Sequence, residues 1–214
     1  MPYRLGAPAA RRQQDWERRR LAGIKKLGER MGKVYAEIDD RIATFIRAQH
    51  VFFVATAPTD AAGHLNLSPK GLDSLRILDP RTVAYLDLTG SGIETIAHLR
   101  DNGRIVIRLC AFEKAPRVLR LHGHGEVIEA GTSAFDALCP LFPSYLGARA
   151  IIRVRVERIS DSCGFGVPLY RFEGERTQLT AWAEHQGAAG LQAYRQDVNS
   201  RSIDGLPGLE VGAD

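Results

Sequence analysis

TVAYLDLTGSGIETIAHLRDNGRIVI, residues 82–107, carries the strongest secondary-structure signals in this chain. Thr82–Leu88 is an apolar run rich in strand-forming residues, and the glycines of Thr89–Gly92 predict a turn. Ile93–Arg100 has apolar residues at helical spacing, and an Asn-Gly pair then ends the helix. Arg104–Phe112 alternates between apolar and polar residues, which is typical of a half-buried strand.

The flanking sequence adds more strands than helices. The predicted strands are Val51–Ala57, His64–Ser68, Leu75–Leu78, Arg117–Ile128 and Ile151–Ile159, and the predicted helices are Ala36–Ala48, Ser133–Leu141, Arg176–Ala183 and Ala188–Gln196. Successive strands without regular helical crossovers favour antiparallel pairing. We therefore expect a mainly β protein with added helices, built as a small barrel of about six strands with the helices packed outside. A Rossmann fold is disfavoured, because no GxGxxG follows a strand.

The charge of the chain is concentrated at its start. The 214 residues carry a formal charge of +4, but residues 1–30 hold nine basic and three acidic side chains, so the remainder sums to −2. Nucleic acid is therefore an unfavoured partner, since its binding normally needs a basic surface. We expect a basic extension over residues 1–35, flexible or helical, and a single domain over 36–214 with a helical C-terminal segment. Three interpretations of the extension are open. It contacts acidic partners, it is a solvated tail without a role, or translation really starts after it, at Met31.

Cysteine usage and hydropathy indicate the compartment. Cys110, Cys139 and Cys163 are odd in number and lack CxxC spacing, which argues against a disulfide framework and against a zinc site. No apolar stretch approaches the length of a membrane span, and residues 1–30 lack the apolar core of a secretory signal. We expect a cytoplasmic protein without a membrane partner.

Two glycine-containing segments are candidate anion sites. Asn66-Leu67-Ser68-Pro69-Lys70-Gly71 ends a strand with a hydroxyl, an ammonium group and a glycine within four residues, which suits a phosphate. A plain turn with a solvated lysine explains the same residues. Thr89–Thr95 is a glycine-rich turn that opens onto a helix N-terminus. Ser91 and Glu94 have the spacing of a capping box, in which Glu94 would occupy the free amides of the helix and repel a phosphate. In that arrangement Thr89 and Thr95 would still be available to bind a ligand.

Three further groups have weaker signals. Strand alternation puts Arg120, His122, His124 and Glu126 on one face of the sheet. The two histidines and Glu126 would make a three-ligand metal site, or the face is simply polar and points outward. We expect no metal. The intervening glycines indicate close approach of another main chain or of a flat ligand. Cys163 lies in a glycine-rich loop and is a nucleophile or part of a loop that shapes a pocket. Arg104 and Arg108 point off one strand face and bind an anion or are solvated.

Together these segments resemble the pyridoxamine 5′-phosphate oxidase-like family of FMN-binding split barrels. The resemblance rests on VFFVATA, HLNLSPKG, residues 82–107 and VLRLHGHGEVIE, which together cover about Glu37 to Glu129. DSCGFGVP, GERTQLTAWA and SIDGLPGL are similar to one branch of that superfamily. The resemblance implies an antiparallel six-stranded split β-barrel and a homodimer with FMN in a groove between the subunits.

The resemblance also assigns cofactor contacts. The residues expected to bind FMN are Ser68, Lys70, Gly71, Asp87, Leu88, Thr89, Ser91, Thr95, Arg108 and Arg120. The oxidases commonly have Ser-Arg-Lys where this chain has Ile93-Glu94-Thr95, so two positive charges are missing, and the phosphate would rely on Lys70 and on Arg108 or Arg120. This departure predicts weaker flavin binding.

The functional expectation follows from the same resemblance. We expect an FMN-dependent oxidoreductase that transfers hydride through flavin N5 to or from an unknown small substrate, with no protein acid or base marked by the sequence. The chain ends in Ser202-Ile-Asp-Gly-Leu-Pro-Gly and lacks the Arg-Leu-x-Pro tail of the true oxidases, which argues against pyridoxamine phosphate as the substrate. The alternative is a non-catalytic protein that binds flavin, haem or another planar ligand for storage or sensing.

Overall fold

The structure is a computed structural model that describes residues 32–210 and positions 11, 14, 15 and 18. Most of the extension expected over residues 1–35, including Met31, lies outside the described residues. The strands are β1 (Val34–Tyr35), β2 (Phe52–Thr56), β3 (Asn66–Lys70), β4 (Leu75–Asp79), β5 (Thr82–Leu88), β6 (Arg104–Cys110), β7 (Val118–Glu129) and β8 (Ala148–Ser162). The helices are α1 (Asp40–Arg47), α2 (Glu94–Asn102), α3 (Ser133–Leu138), a 3₁₀ turn (Cys139–Leu141) and α4 (Gln178–Val198).

All strands join one antiparallel sheet in the order β3-β2-β6-β7-β8-β5-β4, and β1 pairs with the far end of β8. The expectation of a mainly β fold with added helices is confirmed. The expected six strands are corrected to eight, and the sheet has two edges, β3 and β4, instead of closing on itself. The sequence pattern missed β1 because two residues are too few to show an alternation, so the domain begins before residue 36.

The hydrophobic core lies between the sheet and helices α1 and α2. Ile42 and Ile46 of α1 and Ile96 of α2 pack on strand residues such as Val54 and Ile107. A smaller apolar cluster lies under α3 and the 3₁₀ turn. Helix α1 begins where the Asp39 carboxylate accepts a hydrogen bond from the amide of Ile42, which satisfies a free amide of the first turn.

Two glycines in β7 let other parts of the chain approach closely. A Cβ on Gly123 would overlap the main-chain carbonyl of Arg155 on β8, at a point where the pairing register shifts. A Cβ on Gly125 would lie 2.8 Å from a methyl group of Leu99 on α2. Of the two explanations that the sequence left open, the structure therefore favours close packing within the chain over a flat ligand.

The C-terminal helix α4 contains a kink at Gly187, whose φ of 64° is left-handed. The kink divides α4 into the two shorter helices that the sequence predicted. Beyond it the chain turns back, and Leu209 pairs with Asn199 and joins the main core. Among the described residues, no helix combines the length and hydropathy that a membrane span requires.

Candidate functional site

A cavity of about 300 Å³ lies where β3, the end of β5 and the start of α2 meet. It is lined by Asn66, Ser68, Pro69, Lys70, Gly71, Leu72, Ser74, Leu86, Leu88, Gly90, Gly92, Glu94, Thr95, Arg149 and Leu179. Register with β2 puts Ser68 beside buried Val54, on the inner side of the sheet, whereas Leu67 faces outward and is exposed. β3 is an edge strand, with a neighbour on one side only, and it can therefore contain Pro69, which has no N–H group to donate to a second neighbour.

A buried ion cluster forms one wall of the cavity. Asp87 is 1% exposed, and its carboxylate oxygens lie 2.6 Å from Lys70 Nζ and 2.7 Å from Arg149 Nε. Burial by itself would raise the pKa of Asp87, but Arg149 and Lys70 outweigh it and hold the pKa at about 2. Lys70 is therefore a half-buried, paired cation and not the solvated lysine of a plain turn.

Arg149 also fixes the glycine-rich turn after β5. Its guanidinium donates to the carbonyl of Gly92 at 2.7 Å, to the carbonyl of Gly90 at 3.4 Å and to Asn199 Oδ1 at 2.9 Å. Asn199 is fully buried and donates in turn to Gly90. The turn beside the cavity is thus tied to the C-terminal end of α4.

A second arginine of α4 supports the same region. Arg195 donates to Thr89 Oγ1 at 2.8 Å and to the carbonyl of Ala148 at 3.0 Å. Thr89 is buried and its hydroxyl donates to the carbonyl of Gly147. Burial, followed by repulsion from Arg149, lowers the pKa of Arg195. Helix α4 therefore adds positive charge behind the cavity wall.

The N-terminus of α2 faces the cavity without a side-chain cap. The helix begins at Glu94 with Ile93 as its N-cap residue, and no side chain there accepts a hydrogen bond from the first amides. The expected capping box of Ser91 and Glu94 is therefore wrong, because Ser91 lies two residues before the cap position. Glu94 Oε1 instead accepts a long hydrogen bond from the amide of Ile203.

A line of polar side chains runs from the cavity into the protein interior. Ser68 Oγ donates to Asn66 Oδ1 at 2.9 Å, and Asn66 Nδ2 donates to Thr95 Oγ1 at 2.9 Å and to Thr56 Oγ1 at 3.1 Å. Thr56 Oγ1 lies 3.0 Å from Nδ1 of His98, which is fully buried. Such a chain fixes the orientation of every group in it, including the hydroxyl that lines the cavity.

The expected cofactor-binding residues fall into three groups. Those that line the cavity are Ser68, Lys70, Gly71, Leu88 and Thr95; Asp87 and Thr89 lie buried behind its wall; Ser91, Arg108 and Arg120 lie outside it. Arg108 pairs in register with Arg120 and with Phe53, which follows the strand alternation away from the Ser68 side of the sheet. Within one chain, these two arginines do not face the cavity that Lys70 lines.

Sequence reasoning missed Arg149, Arg195 and Asn199, and it included Asn66 in a candidate segment without giving it a role. Arg149 precedes the strand that the pattern predicted from Ile151, and its partner Asp87 lies 62 residues away in sequence. The one available signal was an arginine between alanines at the start of an apolar strand, where a charge needs a buried partner.

The other sequence candidates have local partners. His124 Nδ1 lies 3.2 Å from Glu157, and Glu126 pairs with Arg153 at 2.6 Å, which agrees with a polar outer face. Among the residues that the structure describes, no three His, Cys, Asp or Glu side chains are grouped as metal ligands. Cys163 is half-buried in its loop, away from the lining of this cavity.

Comparison with known proteins identifies the family. Residues 38–163 match the family model described as pyridoxamine 5′-phosphate oxidase, which is more than half of the chain. This chain belongs to the pyridoxamine 5′-phosphate oxidase family. The resemblance inferred from the sequence is thereby confirmed.

Individual relatives differ in how much of the chain they match. The pyridoxamine 5′-phosphate oxidase family protein ustO of Aspergillus flavus is 40% identical over 192 residues, covering 82% of this chain and 77% of that protein. The crystal structure of HupZ from Group A Streptococcus is 28% identical, with a TM-score of 0.44 and coverage of 57% of this chain and 91% of that one. A Corynebacterium diphtheriae protein of unknown function is 14% identical, with a TM-score of 0.42 and coverage of 60% and 97%.

Proposed function

We propose that this member of the pyridoxamine 5′-phosphate oxidase family binds FMN in the cavity beside Lys70 and works as an oxidoreductase on a small substrate. The observation that carries the proposal is the convergence of a cation, two hydroxyls and an uncapped helix N-terminus on one cavity. These groups are Lys70, Ser68, Thr95 and the start of α2. Family membership supplies the cofactor class, because the family generally binds FMN.

The residues around the cavity fit the phosphate end of FMN. The free amides of α2 and the nearby cations favour an anion, and the Ser68 and Thr95 hydroxyls offer hydrogen bonds. Lys70, Arg149 and Arg195 face an equal number of carboxylates in this region, those of Asp87, Glu94 and Glu175, and Glu175 is bound to the amide of Leu72. Glu94 opposes the phosphate, so we expect weaker binding than an arginine at its position would give.

The roles of the chain's residues follow from their contacts. Bound FMN would supply hydride transfer, while the protein positions the flavin and tunes its electronics. Lys70 and the α2 amides would hold the anionic end, and Ser68 would orient a polar group of the ligand. Arg149 would keep the Gly90–Gly92 turn in place, because it binds both carbonyls of that turn.

A non-catalytic role remains the alternative that experiment must separate from oxidoreductase activity. For haem, the described lining of the cavity contains neither histidine nor cysteine, the usual axial ligands. We therefore favour flavin over haem. The substrate stays open.

FMN titration of the purified full-length protein tests the proposal. We expect Lys70→Ala to raise the Kd for FMN by roughly tenfold or more, since a charge-assisted hydrogen bond contributes about 1.5–3 kcal/mol. Folding should survive, because Arg149 still pairs with Asp87. Arg153→Ala is the matched control: it removes one positive charge from the outer face, where Arg153 is bound to Glu126.

An unchanged Kd in Lys70→Ala would refute the placement of FMN in this cavity. Anaerobic mixing of the FMN-loaded protein with NADPH, or with candidate small reductants, then separates the two roles. Reduction followed by turnover supports the enzyme, whereas a flavin that none of these donors reduces supports a binding protein.

A further inference from the structure

His98 is a buried titratable group that has one polar partner. It lies on α2 with 0% exposure, and its Nδ1 is 3.0 Å from the hydroxyl of Thr56 on β2. Its Nε2 has no hydrogen-bond partner among the described residues. Thr56 is next to Asn66, and Asn66 is next to both Ser68 and Thr95, so His98 is linked to the cavity although it does not line it.

The direction of this line follows from the requirement that each buried hydroxyl proton has an acceptor. Asn66 Nδ2 donates to Thr56 Oγ1, so the single proton of the Thr56 hydroxyl is free to point to His98 Nδ1. A neutral His98 that accepts there carries its own proton on Nε2. Asn66 Oδ1 accepts the Ser68 proton, so Ser68 faces the cavity as an acceptor. Thr95 accepts from Asn66 and keeps its own proton, but it is 6% exposed and lies beside the buried hydroxyl of Tyr85.

Protonation of His98 would reverse this direction. Imidazolium has a proton on both ring nitrogens, so Nδ1 must donate to Thr56. Thr56 Oγ1 can accept from both His98 and Asn66, but its own buried proton then finds an acceptor on this line only when the Asn66 side-chain amide turns. The turned amide presents its oxygen to Thr56 and Thr95 and its NH₂ group to Ser68. Ser68 gains a free proton for the cavity, and Thr95 gives up its own.

We propose that His98 is a positioning residue that sets, through Thr56 and Asn66, whether Ser68 offers the cavity a hydrogen-bond acceptor or a donor. With neutral His98, the site selects a ligand that presents an N–H or O–H group to Ser68. The ligand side of this inference rests on the proposed function, whereas the relay itself does not.

The surroundings of His98 keep the neutral form dominant at neutral pH. Burial lowers the pKa of His98, and Asp204, Glu94, Asp101 and the main chain of Thr56 oppose that shift. Of the strands packed against α2, β6 contributes Arg104, which is held by Asn102 and by the carbonyl of Pro58. β2 is uncharged. β7 contributes Glu129, which pairs with Arg100 of α2, and His124, which lies beside Gly103 at the end of the helix; Gly125 of β7 packs against Leu99. Reversal is therefore expected on acidification.

Nuclear magnetic resonance of the full chain, without added ligand, tests the relay. At neutral pH we expect His98 to be protonated on Nε2 and unprotonated on Nδ1, with the signal assigned by its loss in His98→Gln. On acidification, the Asn66 side-chain NH₂ signals should shift with the same midpoint as His98. In Thr56→Val the His98 titration should persist without the Asn66 response, and Thr56→Ser, which keeps the hydroxyl, should restore it.

Three results would overturn the inference. These are a proton on Nδ1 at neutral pH, an Asn66 signal that ignores the His98 titration in the wild type, and a His98 that stays neutral until the protein unfolds. An Asn66 response that survives in Thr56→Val would overturn the route through Thr56.

FMN then serves as the probe for the ligand side. We expect the Kd for FMN to change about threefold to tenfold across the His98 midpoint in the wild type, as for one neutral hydrogen bond, and to lose this step in Thr56→Val. A Kd with the same step in both proteins would overturn the role of the relay in binding. If no FMN binds at any pH, the proposed function fails, while the resonance experiment still decides the relay.

Discussion

Asp87 is a carboxylate that the protein buries and then neutralises with two cations. Removing the charge by Asp87→Asn leaves Arg149 buried without its ionic partner, which should cost about 3–5 kcal/mol of unfolding free energy. Urea unfolding monitored by circular dichroism measures this loss. Asp73→Asn is the control: its side chain is 77% exposed in a surface pair with Arg76, and it should change stability by less than about 0.5 kcal/mol.

The same carboxylate predicts an acid-dependent loss of stability. The pKa of Asp87 is held at about 2 in the folded protein, below its ordinary value of 3.8. A lowered folded pKa stabilises the protein above the unfolded value, so about 2 kcal/mol should be lost as the pH falls from 4 to 2. Asp87→Asn should lack this step in a series of urea midpoints against pH. An equal acid step in both proteins would contradict the ion cluster.

Gly123 predicts a strong local constraint on the sheet. In Gly123→Ala the added methyl would overlap the Arg155 carbonyl, and since both atoms belong to paired strands, β7 and β8 must move apart. We expect a loss of about 3 kcal/mol, measured by thermal or urea unfolding. Gly166→Ala, which has open space around it, should be neutral. Equal stability of the two variants would show that β7 does not pack on β8 in this register.

At the scale of elements, α4 is held to the cavity turn by its C-terminal end. Asn199→Ala removes the acceptor for Arg149 and the donor to Gly90 at a fully buried position, which should cost about 2–3 kcal/mol. Amide hydrogen exchange should increase in α4 and in the Gly90–Gly92 turn, and FMN affinity should fall. Gln196→Ala, an exposed polar residue one turn earlier, should leave both unchanged. Unchanged exchange in Asn199→Ala would contradict the link.

Some elements could be predicted from sequence because they are long and regular. Thr82–Leu88 was predicted and found with the same bounds, since an apolar, β-branched run between turn signals needs no distant information. The helix after it was also predicted, but its cap was not, because a Ser-x-x-Glu spacing does not reveal which residue begins the helix.

The rest depended on contacts between distant residues. Lys70 and Ser68 carried local signals of a phosphate-binding segment, so the sequence could nominate them as part of a site. Asn199 carried no such signal, and the position of Arg149 between two alanines indicated only that it needs a buried partner. Their partners lie on other elements and become neighbours only when β5, β8 and α4 pack together. Arg108 and Arg120 were nominated for their charge, although the pleat turns them to the other face of the sheet.

At the scale of the whole molecule, the homodimer expected from the sequence stays a prediction, and two exposed leucines at one edge of the sheet offer a place to test it. Leu65 and Leu67 are 84% and 66% exposed, and Leu67 adjoins Ser68 on edge strand β3. Family members are usually dimers. A partner that covers Leu67 would lie beside the cavity and could bring its own Arg108 and Arg120 to it.

We therefore expect Leu67→Glu to shift the protein from dimer to monomer in sedimentation velocity and to weaken FMN binding. A buried charge at an apolar contact leaves the carboxylate without a partner, which favours dissociation. Leu169→Glu is the control, since Leu169 is 76% exposed in the segment after β8 and is not part of the cavity lining. A dimer that persists in Leu67→Glu would contradict this interface.

FMN binding is tested most directly by the absorbance spectrum of the purified full-length protein, followed by mass spectrometric identification of the ligand that the protein releases on denaturation. We predict that the spectrum shows flavin bands and that the protein releases up to one FMN molecule per chain. Added FMN should fill any remaining sites. A colourless protein that fails to take up added FMN, or one that releases a different ligand such as haem in stoichiometric amount, would contradict it.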